Sequence, residues 1–124
     1  MPYRILLKRL MDQHIVTGCI ILDPYGNIFY HAGAFPQAGE KNLVDGYYLL
    51  SEWVTFPSSI SLAGVRYNSL MNAYPNYWCL TNPKGYGSLI IQICKNKYYF
   101  LCYLKDEDPI EIQKEIAKMG ELFG

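Results

Sequence analysis

The second half of the chain reads as short apolar runs cut by turn residues, and that alternation restricts the fold more than any other feature of the sequence. Leu62 to Met71, Tyr77 to Thr81, Leu89 to Cys94 and Tyr98 to Leu104 are rich in β-branched, aromatic and other apolar residues. Tyr74-Pro75-Asn76, Asn82-Pro83-Lys84-Gly85 and Lys95-Asn96-Lys97 separate them. Four strands joined by such short turns form an antiparallel meander, because parallel pairing needs a long crossover.

The remaining segments supply what must cover this sheet. Leu6, Leu7, Leu10 and Met11 recur at helical spacing with Arg4, Lys8 and Asp12 between them, predicting an amphipathic helix over 3–13. Val16 to Leu22, the turn Asp23-Pro24-Tyr25-Gly26-Asn27 and Ile28 to Ala32 read as a β-hairpin. Glu40 to Trp53 places Leu43, Tyr47, Leu50 and Val54 on one face of a second helix, in which Gly46 costs about 1 kcal/mol relative to alanine. Asp106-Glu107-Asp108-Pro109 opens a last helix that continues through Ile110, Ile112, Ile116, Met119 and Phe123. The pattern predicts an α+β domain spanning residues 1–124, with a central antiparallel sheet of five to seven strands and helices packed on it. At 124 residues one domain is expected.

Charge and cysteine content narrow the partners. Eleven basic and eleven acidic residues cancel, leaving no excess positive field for nucleic acid or an anionic membrane. No stretch reaches the roughly 20 apolar residues of a membrane span, and the start of the chain lacks a signal-peptide core, so a cytosolic protein is expected. Cys19, Cys79, Cys94 and Cys102 sit singly in apolar runs, which predicts buried free thiols and no zinc or redox pair.

Catalytic chemistry finds no foothold. His14 and His31 are the only candidate bases near neutral pH; the first falls at a helix end and the second in an edge-like strand, both ordinary solvated settings. The acids at 106–108 suit a helix dipole better than a metal. Pro83-Lys84-Gly85-Tyr86-Gly87-Ser88 leads into a strand, whereas phosphate loops present amides from a helix start. No enzymatic activity, cofactor or metal is expected. Twelve tyrosines point instead to a binding surface, although Tyr98, Tyr99 and Tyr103 read better as strand residues covering the sheet.

Several blocks resemble the profilin family in order. Gly18-Cys-Ile-Ile-Leu22 and Tyr25-Gly-Asn-Ile-Phe-Tyr30 are similar to its small-residue strand and D-G-x-V-W-A hairpin, and Ala34-Phe35-Pro36 to its S-F-P. Leu62-Ala-Gly-Val-Arg-Tyr67 resembles the L-G-G-x-K-Y strand, and Lys84-Gly-Tyr-Gly-Ser-Leu-Ile-Ile91 the K-G-x-G-G-I-x-I turn and strand. Glu115-Ile-Ala-Lys-Met-Gly-Glu-Leu122 is similar to the family's ending. The resemblance spans nearly the whole chain and suits a divergent member, archaeal or from an early-branching eukaryote.

The resemblance implies terminal helices on one sheet face, a further helix on the other, and a monomer that binds monomeric actin and regulates filament assembly. It places actin contacts at Arg66, Ser69, Met71, Thr81, Lys84, Tyr86, Gln113, Lys114 and Lys118. Basic character is kept at Arg66, Lys84 and Lys114, whereas Met71 and Thr81 replace positions that are basic in many members. The family's proline-rich cleft maps to Tyr3, Leu6, Phe29 and Leu122. Fewer hydroxyl and indole donors there imply weak binding of proline-rich segments. Phosphoinositides, a further family ligand, gain little from a neutral chain. A roadblock- or longin-like scaffold and a small-ligand sensor are the alternatives of other classes.

Overall fold

The computed structural model describes residues 2–13, 15–34, 45–105 and 107–122. The order is α1 (Pro2–Asp12), β1 (Gly18–Leu22), β2 (Ile28–Gly33), α2 (Gly46–Trp53), β3 (Ser59–Leu62), β4 (Val65–Ala73), β5 (Tyr77–Thr81), β6 (Ser88–Ile93), β7 (Tyr99–Leu104) and α3 (Pro109–Leu122). The strands form one antiparallel sheet in the order β2-β1-β7-β6-β5-β4-β3. His14, the expected start of the second helix at Glu40, Phe35-Pro36, Asp106 and Phe123 lie outside the described residues.

Strand alternation divides the apolar side chains between two cores. Cys19, Ile21, Cys79, Ile90, Phe100, Cys102 and Leu104 share one face with Ile116 and Met119 of α3, and Leu10 and Met11 of α1 pack against them. Ile20, Leu22, Trp78, Leu80, Leu89, Ile91, Leu101 and Tyr103 point the other way, onto Leu49 and Trp53 of α2. The terminal helices thus share one face and α2 covers the other. All four cysteines are free and buried, Tyr103 belongs to the core, and Tyr98 and Tyr99 are partly covered. His31 is exposed in the edge strand β2.

Three expectations need correction. The run from Leu62 to Met71 is not one strand: it breaks at Ala63-Gly64, whose φ values of 50° and 80° make a two-residue hairpin turn. That turn lets Leu62 and Val65 pair and lie in the same core, whereas a continuous strand would set them on opposite faces. In α2 the buried residues are Gly46, Leu49 and Trp53, while Tyr47 and Val54 are exposed. The indole decides the rotation of the helix, because it stacks 6.4 Å from Trp78 and donates from Nε1 to Asn72 Oδ1 at 2.8 Å. Gly46 opens the helix behind its N-cap Asp45, which accepts from Tyr48 N; a Cβ on Gly46 would collide with the Gly26 carbonyl. It therefore marks a close approach of two backbones and not a weak point in a helix interior.

Asp108 and Pro109 start α3 as their residue types suggest. Asp108 Oδ1 accepts from Ile110 N at 3.0 Å, and proline stands first in the helix.

Candidate partner-binding surface

Helix α3 lies over β5, β6 and β7, so its side of the sheet is left open along β4 and β3. Val65 and Tyr67 point to the α2 core, which turns Arg66 and Asn68 to the open side. A bulge between Ser69 and Met71 then restores Met71 to that side, opposite Cys79. Thr81 pairs with Asn68 and shares its face. Its Oγ1 accepts from Ser88 Oγ at 3.0 Å.

The β5–β6 loop brings further polar groups to the same end. Asn82 organises it: Oδ1 accepts from Lys84 N at 2.7 Å and Tyr86 N at 3.3 Å, while Nδ2 donates to the Arg66 carbonyl at 2.6 Å. Gly87, at φ 90°, lets the chain turn back, since a Cβ there would collide with the Leu104 carbonyl. The result is an open hollow of about 600 Å³ lined by Gly64, Val65, Arg66, Asn68, Asn82, Pro83, Lys84 and Tyr86. Among the described residues neither Arg66 nor Lys84 makes an ion pair. Two cations beside unengaged ring surface can receive a partner's carboxylate.

The other residues singled out from the sequence are distributed differently. Gln113 is half-buried, and its Nε2 donates at 2.7 Å to Gln92 Oε1. Gln92 is in turn bonded to the Asn76 and Ile93 carbonyls, so the pair ties α3 to the sheet. Lys114 is exposed on α3. Lys118 faces Glu115 at 3.6 Å, both side chains largely in solvent, a pair worth little to stability. Ser69 does not join the group: it sits on the α2 side, where its Oγ accepts from Trp78 Nε1 at 2.8 Å.

Of the suggested cleft residues, Phe29 is half exposed and meets Tyr98 edge-on with centroids 5.3 Å apart. The side chains of Tyr3, Leu6 and Leu122 fall outside what is described. Sequence reading missed Tyr98 as a partner of Phe29 and Asn82 as the loop organiser; the Asn82-Pro83 dipeptide was its signal. Among the described residues no group of three or more His, Cys, Asp or Glu side chains could hold a metal ion, and no helix is long and apolar enough to cross a membrane.

Removing the Asn82 side chain tests its organising role. Asn82→Ala leaves the Lys84 and Tyr86 amides and the Arg66 carbonyl without that partner, so a loss of about 1–2 kcal/mol is expected in urea denaturation. Amide shift changes should concentrate at residues 64–66 and 82–88.

Solved structures share this architecture over almost the entire chain. The crystal structure of LokiProfilin1 matches with a TM-score of 0.75 at 16% identity, covering 98% of this chain and 94% of that one. The fold is that of the profilins. LokiProfilin2, in a complex with rabbit actin, gives 0.76 at 14% identity over 98% and 94% of the two chains. Acanthamoeba castellanii profilin IA gives 0.72 at 19% identity over 98% and 95%. No protein-family model matches the sequence, and neither does any curated protein. At such identity the profilin fold persists through the placement of small, apolar and turn residues.

Proposed function

We propose that the protein binds monomeric actin and regulates filament assembly, acting as a single domain, without chemistry of its own. The observation that carries this reading is the convergence of Arg66 and Lys84 on one open hollow between β4 and the β5–β6 loop, in a fold shared with a profilin solved in complex with rabbit actin. Met71 and Thr81 share the face of Arg66, Tyr86 lines the hollow, and the reading also includes Lys114 and Lys118, exposed on α3. Gln113 contributes by fixing the helix. A cytoplasmic setting agrees with four free, buried thiols.

Purified protein added to monomeric actin should slow spontaneous filament growth in proportion to its concentration. Unchanged growth at a large molar excess would exclude this function. A proline-rich segment would find Phe29 and Tyr98 as its aromatic platform, and we assign this second activity low affinity because the first and last helices bring leucines at 6 and 122.

A further inference from the structure

A second surface forms where the β1–β2 turn meets the start of α2, at the end of the sheet away from Arg66 and Lys84. Leu22 pairs with Tyr99, Tyr99 with Ile93, and Gln92 with Tyr77. The β1–β2 turn therefore lies at the Tyr77 end of the sheet, whereas the β5–β6 loop follows Thr81 at the other. Two backbones touch here: a Cβ on Gly26, at φ 92°, would come within 2.6 Å of Tyr47 N, and one on Gly46 would collide with the Gly26 carbonyl. Asp23 locks the turn, its Oδ1 accepting from Tyr25 N and Asn27 N, both at 2.9 Å, and its Oδ2 from Asn27 Nδ2 at 3.1 Å. With Asp45 capping α2, turn and helix are fixed against each other before any partner arrives.

On this base two rings stand out in solvent. Tyr25 is 79% and Tyr47 73% exposed, the highest values among the large apolar and aromatic side chains described. With Pro24, Leu50 and Ser51 they line an open hollow of about 280 Å³. Small-molecule sites usually begin at about 300 Å³, so the hollow suits one side chain of a partner better than a free ligand. Its surroundings are acidic: Asp23 precedes Pro24, Asp45 precedes α2 and Glu52 follows Ser51, while segments 23–27 and 45–56 contain no Lys, Arg or His. Lys95 and Lys97, in the β6–β7 turn at the same end of the sheet, do not line the hollow. Asp45 also offsets the positive start of α2, which would otherwise repel a cation. Tyrosine faces in an acidic surround attract a guanidinium both by its charge and by stacking, and tyrosine supplies that area at little entropic cost.

We propose that this hollow binds an arginine side chain carried by an extended segment of a partner protein, the guanidinium lying against Tyr25 and Tyr47 in the field of Asp23, Asp45 and Glu52. The hollow of Arg66 and Lys84, at the far end of the sheet, stays free, so one chain can hold two partners of opposite charge.

The isotope-labelled full chain should be titrated with a short peptide of alternating arginine and alanine, with the same peptide carrying glutamine for arginine, and with polyproline. Amide shift changes from the arginine peptide should concentrate at residues 23–27 and 45–52 and diminish with added salt. Tyr25→Ala and Tyr47→Ala should each weaken its binding about fivefold. Asp45→Asn, which keeps the helix cap and removes the charge, should weaken it about threefold. All three side chains are exposed, so melting temperatures should stay near that of the parent. Equal binding of the glutamine peptide or of polyproline at these residues would overturn the arginine assignment. So would shift changes concentrated elsewhere, tyrosine variants within about twofold of the parent, or no saturable binding. No actin is present, so the outcome is independent of the actin reading.

Discussion

Raising the pH through 9 towards 11 is expected to unfold the protein, driven by its buried thiols. Burial pushes the Cys19 thiol from its ordinary 9.0 up to about 11 and Cys79 and Cys94 up to about 12. Cys102, opposite Cys19 across β1 and β7, is raised well above its ordinary value by burial and then by its neighbours Cys19 and Cys94. An unfolded chain releases these protons near pH 9, while the folded chain keeps them. The unfolded state therefore binds fewer protons in this window, and stability falls as pH rises. Each such group contributes a slope of about 1.4 kcal/mol per pH unit, or about 5 kcal/mol for four. Tyr67, raised by burial to about 12, adds to the slope above pH 10.

Domain stabilities of about 5–15 kcal/mol do not survive two units of such a slope at their lower end. Below about pH 8 the thiols are protonated in both states and their contribution is constant. Urea midpoints followed by circular dichroism should be flat up to about pH 8 and decline steeply beyond it. Cys79→Ala should make the decline shallower by one proton. A midpoint unchanged through pH 11 would contradict the inferred burial.

The same buried residues explain how much of the fold could be read in advance. Strands β5, β6 and β7 are uninterrupted apolar runs covered on both faces, so their composition alone located them. The two-residue break at Ala63-Gly64 was harder, since Leu62 and Val65 look like one run until their spacing of three is set against a period of two. In α2, either of two adjacent stripes could be the buried one. Trp53 settled it through Asn72 and Trp78, partners distant in sequence and therefore invisible to local periodicity. At the candidate site the cations were legible as residue types, and the hollow between them was not. It depends on Asn82 tying the β5–β6 loop to the Arg66 carbonyl of β4, while the bulge that follows Ser69 turns Met71 to the same face.

Reversing both cations of the hollow, with Arg66→Glu and Lys84→Glu together, should weaken actin binding by more than about 100-fold without unfolding the protein. Both residues are exposed, so the folded chain loses no burial. Neither has an ion-pair partner among the described residues, and no carboxylate is left stranded. The backbone bonds of this region run through the Arg66 carbonyl and the Lys84 amide, which every substitution but proline retains. Each single reversal replaces attraction to a partner's carboxylate by repulsion, with an expected loss of about tenfold. Because the two side chains line one hollow, their effects should depart from additivity, as sites sharing a partner do. Binding of the unaltered protein should weaken with added salt, and that dependence should be reduced in the double variant. Arg66→Lys separates charge from geometry: it keeps the cation but not the planar fork, so partial retention would mean that charge suffices and loss near that of Arg66→Glu would mean paired hydrogen bonds to a carboxylate. Unaltered affinity in the double variant would place the actin contact elsewhere on the sheet, since two buried negative charges in an interface that needs cations cannot be neutral.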